Sequence, residues 1–426
     1  MHLMERGYQL GMGIGMKLLP ASKQEVLSGA GAIMNVPELL QRRGLSRPLI
    51  VTGPRVSKTD FFQRLEQALT EAECAPCVFT EVEPDPTTDL IDRVTTAYRI
   101  GGCDCFIALG GGSNMDAAKA AAAALARPEK TFRQLGGVMK VRRKTPCMIA
   151  IPTTAGTGSE CTVAAVVTDS ETHRKFAIND PVLCPDAAVL DPDLTADLPP
   201  SIVAATGMDA LTHAVEAWLN RRYHKRATPG QCAAAVHDIM MYLPFVYEDA
   251  VAGKSRAGDS EGPTNTGKEP PRGGSRAREK LLEASYKAGQ AFTVACVGNV
   301  HAIAHTLGGL YHIPHGQANA VLLPVVLEDY GPRVWKPLAR LARAARILPL
   351  LGLQPHCDDE RIAETFIARI QKMNQEMGIP QGFEQIREED MDQMAAWAVK
   401  EANPLYPVPV IYCRDDIKRV LRQIRI

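Results

Sequence analysis

Two pairs of residues at helical spacing carry side chains suited to metal chemistry. Asp209 and His213 lie four residues apart, and so do His301 and His305. His315 follows in a Pro-His-Gly turn, within apolar surroundings like those of the other two histidines. Residues at i and i+4 share a helix face, although either pair alone also fits an ordinary helix-surface hydrogen bond. Together, one carboxylate and two or three imidazoles indicate a catalytic divalent metal with an open coordination position.

Two glycine-rich turns have the composition of phosphate-binding loops. GGGSNMD at 110–116 stands between a predicted strand and a predicted helix, and PTTAGTGS at 152–159 follows another predicted strand. Glycines let the backbone approach a ligand closely, and the first amides of a helix suit a phosphate. Neither turn has the order of the dinucleotide fingerprint or of the P-loop. Because both follow strands, they predict one pyrophosphate-containing cofactor at the sheet edge, with two unrelated connections as the alternative.

The elements that position these residues fall into two predicted domains. Residues 21–194 alternate short apolar runs with amphipathic helices, which predicts an α/β domain with a parallel sheet covered on both faces. Residues 195–426 contain a series of helical patterns and predict an all-helical domain. Residues 1–20 are expected to form a flexible extension. The polar, glycine-rich stretch at 253–275 is expected to be a disordered insert, because it has no large apolar side chain to bury.

Composition excludes several classes of function. Forty-eight basic and 48 acidic residues give zero formal charge, which argues against broad affinity for nucleic acid or an anionic membrane. No run approaches the roughly 20 apolar residues of a membrane span. Eleven cysteines without regular spacing are a poor disulfide framework, so the sequence predicts a cytoplasmic protein.

The order of these motifs resembles the iron-containing (group III) alcohol dehydrogenase family. The matching signatures are GGGSNMDAAKA at 110–120, IPTTAGTGSE at 151–160, TGMDALTHAVEA at 206–217, HAIAHTLGGLYHIPHGQANAVLLP at 301–324 and ANPLYPVP at 402–409. The likeness runs from about Ser22 to the C-terminus, apart from the insert. It implies an α/β nucleotide-binding domain followed by a helical metal-binding domain, an architecture shared with dehydroquinate synthase.

The resemblance implies roles for individual residues. The family's metal ligands correspond to Asp209, His213, His301 and His315, whereas His305 corresponds to a histidine near the nicotinamide and substrate. The cofactor loops correspond to Gly111, Gly112, Ser113 and Asp116, and to Thr153, Thr154 and Thr157. Lys175 matches a lysine near the nicotinamide ribose; by spacing alone it is an ordinary surface lysine.

One departure leaves the choice between NAD and NADP open. NAD-preferring relatives often carry an acidic residue after the first strand, and this chain has Gly53 there, followed by Arg55. A carboxylate would bond the ribose 2′-hydroxyl and repel a 2′-phosphate. Gly53 removes that repulsion, and Arg55 is able to pair with a phosphate, so the sequence accommodates either cofactor.

The sequence therefore predicts reversible hydride transfer between NAD(P)(H) and a small alcohol or aldehyde, with Fe²⁺, or Zn²⁺ as its rival, at the metal site. His305 is the candidate catalytic proton relay. The alternatives are a metal- and NAD-dependent lyase of the dehydroquinate synthase type and a non-catalytic assembly protein with a vestigial site. The resemblance further implies a homodimer or higher homo-oligomer.

Overall fold

A computed structural model describes residues 3–18, 23–172, 174–253 and 274–426. The chain divides into two compact units, one formed by residues 21–196 and the other by residues 1–20 together with 197–426. Most of the insert expected at 253–275 lies outside the described residues. Within the described residues, no helix is long and apolar enough to cross a membrane.

The N-terminal residues are helical, in contrast to the flexible extension expected over 1–20. Helix α1 (Leu3–Leu18) belongs to the same unit as the C-terminal residues. Arg6 and Gln9 on this helix donate hydrogen bonds to backbone carbonyl groups in segment 406–409. The glycines of α1 lower its intrinsic helix propensity, which is why the sequence suggested flexibility. Tertiary contacts override that local preference.

The α/β unit contains the predicted parallel sheet, which has six strands in the order β1-β9-β6-β4-β2-β3. Its elements in chain order are β1 (Glu25–Ser28), α2 (Val36–Arg42), β2 (Pro48–Val51), α3 (Asp60–Glu71), β3 (Cys77–Phe79), α4 (Thr88–Ile100), β4 (Cys105–Gly110), α5 (Gly112–Ala126), α6 (Phe132–Leu135), β5 (Gly137–Val138), β6 (Cys147–Pro152), β7 (Ala164–Thr168), β8 (Lys175–Asn179) and β9 (Ala187–Leu190). A smaller sheet in the order β5-β8-β7 contains an antiparallel β7–β8 pair that the sequence analysis did not predict.

Residues of the large sheet alternate between two buried cores. On β4, Phe106 and Ala108 pack with residues of α4 and α5 on one face. Ile107 and Leu109 pack with residues of α2 and α3 on the other face. This alternation explains why the strand is a continuous apolar run, since helices cover both faces of a parallel sheet. The sheet is thereby held rigidly, and the loops at the carboxyl ends of its strands are free to carry the polar motifs.

The second unit is helical after residue 197. Following α1, its helices are α7 (Pro200–Leu219), α8 (Thr228–Val251), α9 (Gly274–Ala295), α10 (Asn299–Tyr311), α11 (His315–Tyr330), α12 (Pro332–Ala344), α13 (Asp359–Glu376), α14 (Met391–Ala402) and α15 (Arg414–Gln423). The sequence analysis did not anticipate α11, which contains Pro324. Proline normally interrupts a helix, but the apolar neighbours of Pro324 are buried, and packing stabilises α11.

Candidate metal centre and cofactor loops

Four predicted ligand residues of the helical unit come together in the structure. One ligand atom from each of Asp209, His213, His301 and His315 lies within 4.8 Å of the others. From Asp209 Oδ1, the Nε2 atoms of His213, His301 and His315 lie at 4.0, 3.7 and 3.6 Å. We call these four residues the metal centre. Three imidazoles and one carboxylate at this spacing form a donor set that fits a first-row divalent metal, without the cysteines of many structural zinc sites.

Three helices position the metal centre. Asp209 and His213 occupy one face of α7, His301 lies on α10, and His315 is the first residue of α11. The start of α11 packs tightly against α7, because a Cβ atom at Gly316 would lie 2.4 Å from the carbonyl oxygen of Ala205. Glycine at 316 therefore permits the close approach that brings His315 to the other ligands.

The side chain of Asn319 contacts three of the four residues of the metal centre. Its Nδ2 atom lies 2.7 Å from Asp209 Oδ1 and donates to it. The same nitrogen lies 3.1 Å from Nε2 of His301 and 3.1 Å from Nε2 of His315. Three potential ligand atoms from three helices thus face one small polar group, and of these residues Asp209, His301 and Asn319 are buried. Such convergence fits the binding of one ion by these residues.

Glu216 fixes the orientation of His301. This buried carboxylate, on α7, lies 2.6 Å from His301 Nδ1 and accepts hydrogen bonds from the backbone amides of Gly298 and Val300 at 2.8 and 2.7 Å. A carboxylate bonded to Nδ1 turns the Nε2 atom of the ring towards the metal side. A Cβ atom at Gly298 would lie 2.6 Å from Glu216 Oε1, so the contact requires glycine there. Sequence analysis gave Glu216 no role, although it follows His213 by three residues on the same helix.

The charges in the metal centre shift its pKa values in opposite directions. Burial raises the pKa of Asp209, but His213, His315 and His301 outweigh it and hold the value well below its usual range. Burial lowers the pKa of His301, yet hydrogen bonds with Asp209 and Glu216 raise it to about 9. Desolvation of its inner edge and the neighbouring histidines lower the pKa of His315 to about 3, although its side chain is 41% exposed. Two carboxylates therefore attract positive charge to the point beside His301.

His305 lies beside the metal centre but outside the group of four. Its ring stacks against that of His315, with centroids 5.2 Å apart. Its Nδ1 atom lies 2.7 Å from Glu401 Oε1. With Nδ1 occupied by the carboxylate, Nε2 is the atom left for exchange with another group. His305 stays a predicted non-ligand that does not belong to the group of four.

The two glycine-rich loops meet in the α/β unit. β4 and β6 are neighbours in the sheet, and the amide of Thr153 donates to the carbonyl of Gly110 at 3.0 Å. A Cβ atom at Gly111 would lie 3.8 Å from Thr154 Oγ1, and one at Gly112 would lie 3.0 Å from Thr157 Cγ2. The start of α5, where Ser113 lies, thus stands beside the second loop. Amides at a helix start favour a phosphate, and binding of the cofactor pyrophosphate at this edge of the sheet stays a prediction.

A buried lysine holds the two loops together. The Nζ atom of Lys119, on α5, donates to Ser159 O, Ser159 Oγ, Thr162 Oγ1 and Ala164 O at 2.6 to 3.1 Å. Ser159 Oγ in turn donates to Asp116 at 3.1 Å. Burial raises the pKa of Asp116 to about 6, against the opposing charge of Lys119. These contacts favour a loop-positioning role for Asp116 over a direct contact with cofactor. Sequence analysis noted Lys119 only as a charge within an alanine-rich run.

Two further residues weighed for the cofactor have other close neighbours, although a Cβ atom at Gly53 would also lie 3.8 Å from Nδ2 of Asn114 in the first loop. Lys175 begins β8, and its Nζ atom forms an ion pair with Asp85 at 2.6 Å. Gly53 follows β2, and a Cβ atom there would lie 2.8 Å from the carbonyl oxygen of Val82. A side chain at position 53 would therefore force the backbone apart. The structure brings neither residue into the hydrogen-bonded set around Lys119.

Comparison with known proteins identifies the family. Residues 23–192 match the model for iron-containing alcohol dehydrogenase, and residues 272–425 match the C-terminal model of the Fe-containing alcohol dehydrogenase family. The chain is 31% identical to NAD-dependent methanol dehydrogenase of Bacillus methanolicus, over 88% of this chain and 91% of that protein. It is 32% identical to NADPH-dependent butanol dehydrogenase of Clostridium saccharobutylicum, over 84% of each chain.

The fold agrees with these sequence matches. A crystal structure of 1,3-propanediol oxidoreductase superposes with a TM-score of 0.83 at 31% identity, covering 95% of this chain and 98% of that one. The matched relatives are dehydrogenases and oxidoreductases, which favours the predicted oxidoreductase over the lyase and the non-catalytic alternatives. The chain belongs to the iron-containing alcohol dehydrogenase family and is an NAD(P)-dependent alcohol dehydrogenase or aldehyde reductase.

Proposed function

We propose that Asp209, His213, His301 and His315 bind one divalent metal, Fe²⁺ with Zn²⁺ as the rival, and that the chain interconverts a small alcohol with its aldehyde or ketone. The observation that carries this proposal is the convergence of ligand atoms from α7, α10 and α11 within 4.8 Å. A metal held there would supply Lewis-acid stabilisation of negative charge on the substrate oxygen. The nicotinamide cofactor would supply the hydride chemistry.

The chain's own residues prepare this chemistry. Glu216 accepts a hydrogen bond from the Nδ1–H group of His301, so that Nε2, on the opposite side of the ring, faces the site. Asn319 holds Asp209 Oδ1 through its amide group. His301 is therefore held by a contact on the side of its ring away from the site, which lowers the reorganisation needed when an ion binds.

His305 is proposed to move the proton that accompanies hydride transfer. Oxidation of an alcohol releases a hydride to the cofactor and the hydroxyl proton to a base, and reduction of a carbonyl reverses both transfers. Imidazole has an ordinary pKa suited to this exchange near neutrality. Its Nδ1 atom is committed to Glu401, so the proton would pass through Nε2. The ring is partly exposed, which leaves a route to water.

The loops at 110–116 and 153–159 are proposed to bind the pyrophosphate of NAD or NADP, with Gly111, Gly112, Ser113, Thr153, Thr154 and Thr157 lining them. The packing around Gly53 explains why no carboxylate stands after β2, because a Cβ atom would meet Val82. A ribose 2′-phosphate would therefore meet no fixed negative charge at position 53, which supports use of NADP as well as NAD. Lys175 remains a proposed contact to the nicotinamide ribose.

The experiment is to load the purified chain with Fe²⁺ or Zn²⁺ and follow oxidation of NADH and NADPH with short aldehydes. We expect metal-dependent oxidation, and the ratio of the two cofactors measures the effect of Gly53 and Arg55. His301→Ala should lose stoichiometric metal and turnover together, because it removes one ligand. Full metal content and turnover in that variant would refute the ligand set. Loss of metal from His305→Ala would refute its assignment as a non-ligand.

A cytoplasmic homodimer is also proposed. All eleven cysteines are free thiols in the structure, which is consistent with a reducing compartment. Light scattering coupled to size exclusion should give about twice the chain mass of 46.2 kDa, and cell fractionation should recover the protein with cytoplasmic markers.

A further inference from the structure

The ANPLYPVP motif at 402–409 contacts the partner of His305. The hydroxyl group of Tyr406 donates to Glu401 Oε1 at 2.9 Å. The same carboxylate oxygen lies 2.7 Å from Nδ1 of His305. Glu401, at the end of α14, therefore receives two hydrogen bonds on one oxygen, one from the motif and one from the candidate proton relay. This arrangement connects a conspicuous sequence motif to a residue with a proposed catalytic role.

Helix α1 also contacts this motif. Gln9 is fully buried, and its Nε2 atom donates to the carbonyl oxygen of Tyr406 at 2.8 Å. Arg6 donates to the carbonyl oxygens of Val408 and Pro409 at 2.8 and 3.1 Å, and also to Gln9 Oε1 at 2.8 Å. Segment 404–409 contains three prolines, which have no N–H group and cannot form regular backbone pairs. Side chains of α1 therefore supply hydrogen bonds that regular structure would otherwise provide.

The contact with Glu401 has a direct consequence for the imidazole of His305. A neutral imidazole carries one proton, on either nitrogen, and its ring can rotate. A carboxylate at Nδ1 selects the tautomer with the proton on Nδ1 and restrains the ring plane. The free lone pair then lies on Nε2, where a proton is accepted or returned. Small displacements of such a group strongly reduce catalytic rates.

We propose that Glu401 is the positioning residue of His305, and that α1 braces it through Arg6, Gln9 and Tyr406. The N-terminal helix thus serves the active site without contacting a metal ligand in the contacts described above. This inference rests on the proposed function for the catalytic part of its test, because His305 must relay a proton for its position to affect turnover. The orientation of the ring itself is testable without turnover.

The first experiment replaces Glu401. Glu401→Ala removes the acceptor and should lower kcat at least roughly 10-fold, with metal affinity unchanged because the four ligands keep their own contacts. Glu401→Gln retains an acceptor oxygen for the Nδ1 proton and should recover part of kcat. A purely structural ion pair between α10 and α14 would instead lower thermal stability in both variants and leave kcat of the folded enzyme unchanged. That result would overturn the proposal.

The second experiment is a double-mutant cycle. Tyr406→Phe removes only the hydroxyl group and should lower kcat less than Glu401→Ala. In the Glu401→Ala background, Tyr406→Phe should have no further effect on kcat, because Tyr406 acts through Glu401. Additive effects of the two substitutions would show that Tyr406 does not act through Glu401.

The third experiment tests α1. The Arg6→Ala/Gln9→Ala variant should lower kcat roughly 3-fold by loosening segment 406–409. Leu10→Ala is the matched control on the same helix, since its side chain is 61% exposed and belongs to none of these contacts. Equal kcat values in the double variant, the control and the unmodified enzyme would remove α1 from the proposal.

Ring ¹⁵N spectra of His305 separate this inference from the proposed function. The unmodified protein should show an Nδ1-protonated ring, and Glu401→Ala should shift the signals towards a mixture of tautomers. If the unmodified enzyme shows no metal-dependent turnover but this shift occurs, the proposed function fails and the positioning contact stands. If turnover is normal and neither kcat nor the ring signals respond to Glu401→Ala, the positioning role fails alone.

Discussion

Two buried polar clusters, one in each unit, gather several acceptor atoms around one point. In the α/β unit, four oxygen atoms of Ser159, Thr162 and Ala164 surround the Nζ atom of Lys119. In the helical unit, atoms of Asp209, His301 and His315 face the neutral amide of Asn319. The first cluster contains a covalently attached cation at its centre. The second consists of carboxylate and imidazole side chains, which are the groups proposed to bind the metal.

The difference between the clusters separates a structural site from a reactive one. A lysine surrounded by backbone and hydroxyl oxygens has its donors satisfied, and the cluster fixes the loop next to α5. Carboxylate and imidazole groups from three helices are instead donors that can bind an exchangeable ion. The same physical requirement, that buried acceptors be neutralised, thus gives loop rigidity in one unit and a candidate catalytic centre in the other.

The largest effect should follow removal of the carboxylate from the metal centre. Asp209→Ala should weaken metal binding by more than the roughly 100-fold expected from loss of an outer partner, because it deletes a ligand and the anchor of Asn319. Competition with a chelator measures this affinity. Asp329→Asn is the control: this partly buried carboxylate accepts hydrogen bonds from Tyr412 and Arg419 in the same unit and lies outside the ligand group. Equal losses in the two variants would point to unfolding of the unit.

Removing the cation from the other cluster should affect stability without affecting metal. Lys119→Met retains most of the side-chain length but leaves the surrounding oxygens without their donor and removes the positive charge near Asp116. The expected loss is roughly 3 kcal/mol in the free energy of unfolding of the α/β unit. Calorimetry should show this loss while the metal affinity stays that of the unmodified chain. A variant as stable as the original would mean that Lys119 contributes nothing net to the loop.

The two clusters also differ in how far the sequence could predict them. Asp209, His213 and His301 are metal-binding residue types at helical spacing, so both their types and their spacing predict a metal site. The parallel sheet is predictable from the apolar runs of its strands. Lys119 resembles any lysine in a helix, because its significance depends on Ser159 and Thr162, forty and more positions away. Glu216 and Glu401 act through contacts that only the packing of helices creates. Helix α11 was missed because Pro324 contradicts local propensity.

A substitution at Glu216 tests whether a residue outside the ligand group strengthens metal binding. Glu216→Gln should weaken metal binding roughly 10- to 100-fold, since its NH2 group replaces one acceptor oxygen, opposes the backbone N–H of either Gly298 or Val300, and loosens His301. The visible spectrum of Co²⁺-loaded protein should change with the coordination geometry. If neither the metal affinity nor the spectrum changed, the role of Glu216 would be limited to capping the start of α10.

The smallest expected effect is a difference in pH dependence between the carboxylates of the two clusters. Burial raises the pKa of Asp116 from its ordinary 3.8 to about 6, so the folded α/β unit binds this proton more tightly than the unfolded chain. The stabilising contribution is present below about 3.8 and is lost as the pH rises through about 6. Asp209 has the opposite shift, and its contribution is lost only on strong acidification. The measurement is the melting temperature of metal-stripped protein. The difference in melting temperature between Asp116→Asn and the unmodified chain should therefore change between pH 4 and pH 6 and be constant above that range. The corresponding difference in melting temperature for Asp209→Asn should be constant across that pH range. If both differences changed with pH in the same way, the two sites would not differ in electrostatic character.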